Sequence, residues 1–409
     1  MGRLVLRNGT VFDSLAAELI GERTVVVEGG RIVDVTEAPV AVDADDDTEV
    51  VDCGGKVVLP GLIDAHVHVA VTTMDFGALA GQPPSLRAIA SARILEGMLR
   101  RGFTTVRDAG GADAGLQAAV ERGLIDGPRL LRAGRALSQT GGHGDVRPRF
   151  AAGTACACEI VDSGIALLAD GEDAVRRAAR EQLRDGAHAI KVMASGGVAS
   201  PTDPVWMEAY TPGELRAAVE EAARRRSYVL AHAYTPGAII RAVEAGVRSI
   251  EHGNLLDVEA AQVMTAAGAA LVPTLVTYWA IAAHGRDFGM PSYAVTKVED
   301  VLEAGKEAVT IARNAGVEIG LGTDLLGETH PFQSRELLLR AEVQSPAEVL
   351  ASATAVNARI LGMVGEIGVV APGARADLLV VDGDPTDDIS VLVEPGERMT
   401  VIKDGVVRR

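Results

Sequence analysis

His66 and His68 stand two residues apart inside the apolar run Leu59-Pro-Gly-Leu-Ile-Asp-Ala-His-Val-His-Val69. On a strand, positions i and i+2 share a face, so both imidazoles aim at one point and make half of a metal site. An isolated H-x-H pair is more often two ordinary histidines. Further ligands at the ends of later strands would decide the matter, and the chain supplies Lys191, His232, His252 and Asp324. Imidazoles and carboxylates suit a borderline divalent metal, zinc first, with cobalt or manganese as alternatives. Lys191 is the odd member, because an ammonium cannot coordinate a cation. Within Ala189-Ile-Lys-Val-Met193 its pKa should be depressed, and the neutral amine can add carbon dioxide to give N6-carboxylysine, a carboxylate long enough to bridge two cations. The plainer alternative is a lysine that snorkels to the strand end. With the bridge, His66, His68 and Asp324 hold one metal, and His232 and His252 the other. Two metals about 3.5–4 Å apart bring the pKa of a shared water near neutrality, and Asp324 can take its proton and pass it to a leaving group.

These residues need a scaffold that brings strand ends together. Between residues 57 and about 357 the pattern alternates strand and helix, the signature of a parallel sheet. Strands are expected at 57–67, 104–107, 129–132, 189–193, 228–231, 249–251, 270–274 and 318–321, and helices at 86–101, 173–184, 212–226, 237–245, 258–267 and 297–314. The fold class is therefore α/β: a (β/α)8 TIM barrel over residues 57–357, in which all six residues fall at the catalytic ends of strands. No G-x-G-x-x-G follows the first strand, which leaves a dinucleotide fold with little support. Residues 1–56 and 358–409 read as short strands with turns at Gly29-Gly30 and Asp404-Gly405. Neither end has enough strands to bury a face alone, so a small β-sandwich domain built from both termini is expected.

The 409 residues are 48% hydrophobic and only 3% aromatic, the balance of a buried parallel sheet covered by alanine-rich helices. A formal charge of −17 argues against nucleic acid or an anionic membrane as partner. Cys53, Cys156 and Cys158 are too few for a disulfide framework, and Cys156-Ala-Cys158 is taken as structurally neutral. The N-terminus lacks the apolar core of a signal peptide, and the expected location is cytoplasmic. Residues 138–170 form the longest stretch without periodicity and follow the third strand, the position of a lid; residues 279–295, with Trp279 and His284, are a second candidate wall.

The set of H-x-H, strand-four lysine, single histidines after strands five and six, and Gly322-Thr-Asp324 resembles the amidohydrolase superfamily. Gly141-Gly-His-Gly-Asp145, Lys191-Val-Met-Ala-Ser-Gly-Gly197, Ala231-His-Ala-Tyr-Thr-Pro236, Ser249-Ile-Glu-His-Gly253 and Pro372-Gly-Ala-Arg-Ala-Asp377 are similar to the branch of Xaa-Pro dipeptidases, related carboxypeptidases and ochratoxin-type amidases. The resemblance implies that His143 and Tyr234 contact the substrate carbonyl or carboxylate, and that the chain is a homo-oligomer. His330, in Gly327-Glu-Thr-His-Pro331, is a further candidate for the substrate side, and Arg135, Arg147 and Arg149 are candidates for a substrate carboxylate. The expected activity is hydrolysis of an amide or peptide bond in a small molecule by metal-bound hydroxide, with an Xaa-Pro dipeptide or N-acyl amino acid first. An aryl amide, carbamate or urea is the alternative, and a metal-free scaffold the remote one.

Overall fold

The computed structural model describes residues 2–41, 48–147, 164–200, 202–299, 301–394 and 396–408; Arg149, Cys156, Cys158 and residues 148–163 of the proposed lid lie outside these. The strands are, in chain order, β1 (Arg3–Asp13), β2 (Glu18–Glu28), β3 (Arg31–Thr36), β4 (Thr48–Asp52), β5 (Val57–Pro60), β6 (Leu62–Val67), β7 (Phe103–Asp108), β8 (Arg129–Arg132) and β9 (Ala136–Ser138). They continue with β10 (Ala166–Leu168), β11 (Ile190–Met193), β12 (Val229–Ala233), β13 (Ser249–His252), β14 (Ala270–Val272), β15 (Leu378–Val381), β16 (Met399–Lys403) and β17 (Val406–Val407).

Both chain ends do build one β module. Its strands join in a single hydrogen-bonded sheet of eight, in the order β17-β16-β15-β5-β1-β2-β3 with β4 also on β1. Leu4, Leu6, Val25, Val27, Leu378 and Ile402 pack together in its core. The middle of the chain has a TIM-barrel arrangement of parallel strands: one sheet runs β10-β9-β11-β12-β13-β14 and another β6-β7-β8. The residues of β6, β7, β11, β12 and β13 are buried on both faces, as expected where helices cover the outside and side chains fill the inside. Helix starts follow the sequence: Thr211 closes a capping box with Glu214 ahead of Pro212–Arg224, and Thr235 caps Pro236–Glu244. Among the described residues no helix is long and apolar enough to cross a membrane.

Three expectations change. The expected strand at 57–67 is two: β5 pairs with β1 and β15 in the terminal sheet, and after Gly61 the chain enters β6 beside β7. Every position on both sides is buried, so the hydrophobic pattern cannot show the change of sheet; Pro60-Gly61 does. The expected eighth strand, 318–321, is a bridge rather than a strand. Leu271 N donates to Glu318 O, Gly320 N to Leu271 O, and Ala65 N to Leu321 O, so this segment touches both β14 and β6. Strands β9 and β10 were not expected, and the helix expected at 297–314 is two, Ser292–Glu299 and Leu302–Ala315.

Gly61 sits where the two sheets meet. Its N–H donates to Asp377 O at 2.7 Å, and a Cβ placed on it would lie 2.1 Å from Thr104 Oγ1 and 2.8 Å from Thr104 Cβ. Gly61→Ala should lower the stability of the whole molecule by about 1–3 kcal/mol through overpacking. Urea denaturation measures this; an unchanged midpoint would show that the junction has room.

Candidate active site

Each expected residue is placed by a strand end. His66 and His68 close β6, His232 lies in β12, His252 ends β13, and Asp324 follows the 318–321 segment. Lys191 lies in β11, 1% exposed. His252 and Asp324 have φ of 74° and 52°, a left-handed conformation unusual for residues with a Cβ. Asp324 N donates to His66 O at 2.8 Å, which anchors the turn.

The side chains converge. Asp324 Oδ1 lies 3.1 Å from His68 Nε2 and 3.4 Å from His66 Nε2, and its Oδ2 3.9 Å from His252 Nδ1. Ligand atoms of His66, His252 and Asp324 fall within 4.8 Å of one another. His232 joins through its ring, 4.7 Å from that of His252, while its Nε2 meets Gly196 O at 3.0 Å.

Second partners decide which ring nitrogens remain free. His66 Nδ1 is 2.6 Å from the Glu251 carboxylate and His68 Nδ1 2.7 Å from Gly110 O, so both contacts favour the tautomer with its proton on Nδ1 and Nε2 turned to the site. Burial would lower the His68 pKa, but Asp324 beside it raises it. Burial pushes His232 and His252 well below the usual histidine pKa, which keeps both neutral. In the Nδ1-protonated tautomer, Nε2 of His66 and Nε2 of His68 both face a carboxylate oxygen. His66 Nε2 is buried and makes no hydrogen bond. With Nε2 unprotonated, acceptor would face acceptor at these distances, and a divalent cation between them would fit that donor set. Asp324 is suited to it: burial would raise its carboxyl, but His66, His68 and His252 hold it well below the ordinary range. Lys191 is lowered to about 8 by burial, against the opposing pull of Glu251 and Asp324.

Sequence reasoning missed Glu251 and Arg107, both fully buried. Arg107 Nη2 donates to Glu251 Oε1 at 2.8 Å, Arg107 Nε to Ala65 O at 2.6 Å, and Ser249 Oγ to Glu251 Oε1 at 2.7 Å. Burial alone would raise the Glu251 carboxyl; Arg107, then His66, hold it far below its ordinary value instead. The available signal was a charged residue inside an apolar strand, the same signal that marks Lys191.

His143 does reach the site. Its ring stacks on that of His232 at 4.2 Å and 15°, and its Nδ1 meets Ser200 Oγ at 2.7 Å and Asp203 Oδ2 at 3.0 Å. It shares a small cavity with His68, Met193, Ile165, Leu326 and Asp324. Tyr234 lies flat on His252, ring centroids 5.4 Å apart, and its hydroxyl meets that of Tyr278 at 2.9 Å. Tyr278, not foreseen, is also fully buried. His330 is not brought to the cavity wall: it is buried, with Nε2 on Val71 O at 3.1 Å. Arg147 pairs with Asp145 at 2.5 Å, and Arg135 bonds Ala166 O beside a separate recess of about 860 Å³ shared with Arg87 and Gln182. Of the expected second wall, Phe288 and Met290 pack with Tyr234 and Tyr278, whereas Trp279 and His284 pack on Phe332 instead.

The chain is similar to known proteins. Residues 57–408 match the model of the amidohydrolase family. The crystal structure of a prolidase complexed with N-methylphosphonate-L-proline superposes with a TM-score of 0.96 at 51% identity, covering 100% of this chain and 99% of that one. Ochratoxinase of Aspergillus niger is 33% identical over 85% of this chain and 75% of its own length. The crystal structure of a Xaa-Pro dipeptidase with methionine bound in its active site matches at TM-score 0.87 and 28% identity, over 100% of both chains.

Glu251→Gln would leave the Arg107 charge buried without its partner, and stability at neutral pH should fall by about 3–5 kcal/mol. Because the folded-state pKa of Glu251 lies below the unfolded one, its contribution is complete above about pH 4.3 and fades as the pH drops further. Urea titrations should therefore show native stability falling more steeply in acid than that of the variant. Equal midpoints at neutral pH would remove the pair from this role.

Proposed function

The chain belongs to the amidohydrolase family, a hydrolase acting on amide or peptide bonds, and we propose that it works with two divalent metal ions on an Xaa-Pro dipeptide or N-acyl amino acid. We read the parallel strands and the 318–321 segment as one closed (β/α)8 barrel around that centre. The observation that carries the reading is the meeting of Nε2 of His66 and Nε2 of His68 with the Asp324 carboxylate at 3.4 and 3.1 Å. His66, His68, His232, His252 and Asp324 would hold the metals, zinc first, with Lys191 as N6-carboxylysine between them. When bound, such ions acidify water and polarise a carbonyl.

The chain's own groups supply the rest. Asp324, 19% exposed at the cavity, is the one carboxylate in the cluster that can take a proton from the attacking water and return it to the amine that leaves. Burial keeps the Tyr234 hydroxyl protonated, so it serves as a donor. His143 has Nδ1 engaged by Asp203 and Ser200, which leaves Nε2 for the substrate oxygen as negative charge develops there. The barrel residues around them exclude bulk water.

The substrate class is supported by the prolidase neighbour, whose ligand joins a tetrahedral phosphorus to proline. That is the shape an acyl-proline amide takes when water adds to its carbonyl. The similarity to ochratoxinase agrees with the resemblance to ochratoxin-type amidases from which the N-acyl amino acid class is inferred. One observation favours the second reading, an aryl amide, carbamate or urea: the described cavity wall carries Val71, Phe76, Ile165, Met193 and Leu326 and no arginine or lysine.

A dipeptide library assayed beside a panel of aryl carbamates separates these classes, and Xaa-Pro peptides are expected to react fastest. Asp324→Asn should lower kcat by about 10²–10⁴-fold. Chelation should abolish turnover, and zinc with bicarbonate should restore it. Native mass spectrometry should find one carbon dioxide on the wild-type chain and none on Lys191→Ala. Full turnover in metal-free protein would end this reading.

A further inference from the structure

One cation acts on the loop beside His143 from outside the site. Lys297, on the helix Ser292–Glu299, donates from Nζ to Gly197 O at 2.7 Å, Ser200 O at 3.0 Å and Asp203 O at 2.8 Å. An ammonium has three hydrogens, and here all three are used on carbonyls of one loop. Three carbonyl oxygens converging on a point repel one another unless a cation sits there, so the loop's shape and the lysine's place depend on each other.

The inner side of the same loop holds the imidazole. Asp203, fully buried, accepts from Gly197 N at 2.8 Å and from His143 Nδ1 at 3.0 Å through the same Oδ2. Ser200 Oγ takes the other contact to Nδ1 at 2.7 Å. Gly197 lies against the ring itself: a Cβ there would stand 2.2 Å from His143 Cε1 and 2.8 Å from Nε2. The ring also stacks on His232. His143 is thus packed against both the loop and one of the cluster histidines, and both polar contacts of its Nδ1 come from the segment Lys297 ties down.

We propose that Lys297 is a positioning residue, which by gathering the carbonyls of Gly197, Ser200 and Asp203 sets where His143 presents Nε2 to the substrate. The inference rests on the role given to His143 above. Burial lowers the Lys297 pKa and Asp203 opposes that, consistent with an ammonium kept charged by the loop it holds. The base of the loop has its own support, Gly196 N to Met207 O at 2.8 Å and the bridge between Ser195 and Glu208, so the strand can survive loss of the lysine while the tip relaxes.

A double-mutant cycle tests this on the intact protein. Lys297→Met keeps the side-chain stem and removes the three donors. It should lower kcat by about 10–100-fold with KM little changed, the size of effect expected when a reacting group is misplaced. In a His143→Ala background the same change should cost nothing further. Lys297→Gln, which retains two donor hydrogens, should fall between wild type and Met, and guards against a variant that simply fails to fold. An equal loss in both backgrounds would overturn the proposal, because the lysine would then act elsewhere. With histidine labelled at Cε1, the His143 resonance, assigned by its absence in His143→Ala, should move in Lys297→Met. This second readout needs no turnover. A wild-type protein that hydrolyses no amide would count against the functional reading alone, while a His143 resonance left in place would overturn the positioning role.

Discussion

A fully buried ion pair, Arg107 with Glu251, is the contact on which the centre depends. Removing two charges from water costs several kcal/mol for each ion, and the cost is recovered only where the geometry is good and the remaining lone pairs and protons are also satisfied. Here they are. Arg107 spends its other donors on Ala65 O, Ser249 Oγ and Tyr228 OH, and Glu251 spends its second oxygen on His66 Nδ1. The pair therefore ties β7 to β13, reaches β6 through Ala65 O and His66 Nδ1, and favours the His66 tautomer whose other nitrogen faces Asp324. The same carboxylate pulls upward on the pKa of Lys191.

The left-handed backbone at His252 and Asp324 is a second constraint. Such conformations cost of order 1–3 kcal/mol each and persist only where the surroundings over-determine them. At Asp324 the surroundings are visible. Thr323 donates to Asp64 Oδ2 at 2.6 Å, Gln333 holds the same oxygen at 2.9 Å, and Asp324 N is bonded to His66 O. Asp64 thus braces the turn from one side while its own backbone leads into His66.

How much of this could be read in the sequence follows from distance along the chain. His66, His68, Lys191, His232, His252 and Asp324 were legible because short buried strands impose a rigid spacing and a shared end. Glu251 and Arg107 were legible in principle, as charges inside apolar strands, but nothing local says that they meet each other. Asp203, Tyr278 and Lys297 lie on loops and outer helices whose approach to the site is set by packing, which leaves no periodic trace. The three-residue strands β9 and β10 are too short to show alternation. The single strand expected at 57–67 failed for the opposite reason: with every residue buried, alternation disappears, and two strands in different sheets look like one.

The terminal sheet also carries a consequence for synthesis. β5 is flanked by β1 on one side and by β15 on the other, and residues 57–60 must wait for residues 378–381 before that second edge is covered. Contacts of such sequence separation form late and slowly, because a long loop must close before they contribute. On the ribosome β1 to β5 emerge with an open, apolar edge while residues 62–377 are made behind them. Strands β15 to β17 then complete that sheet, and in the interval the open edge is exposed to pairing with another copy of the chain.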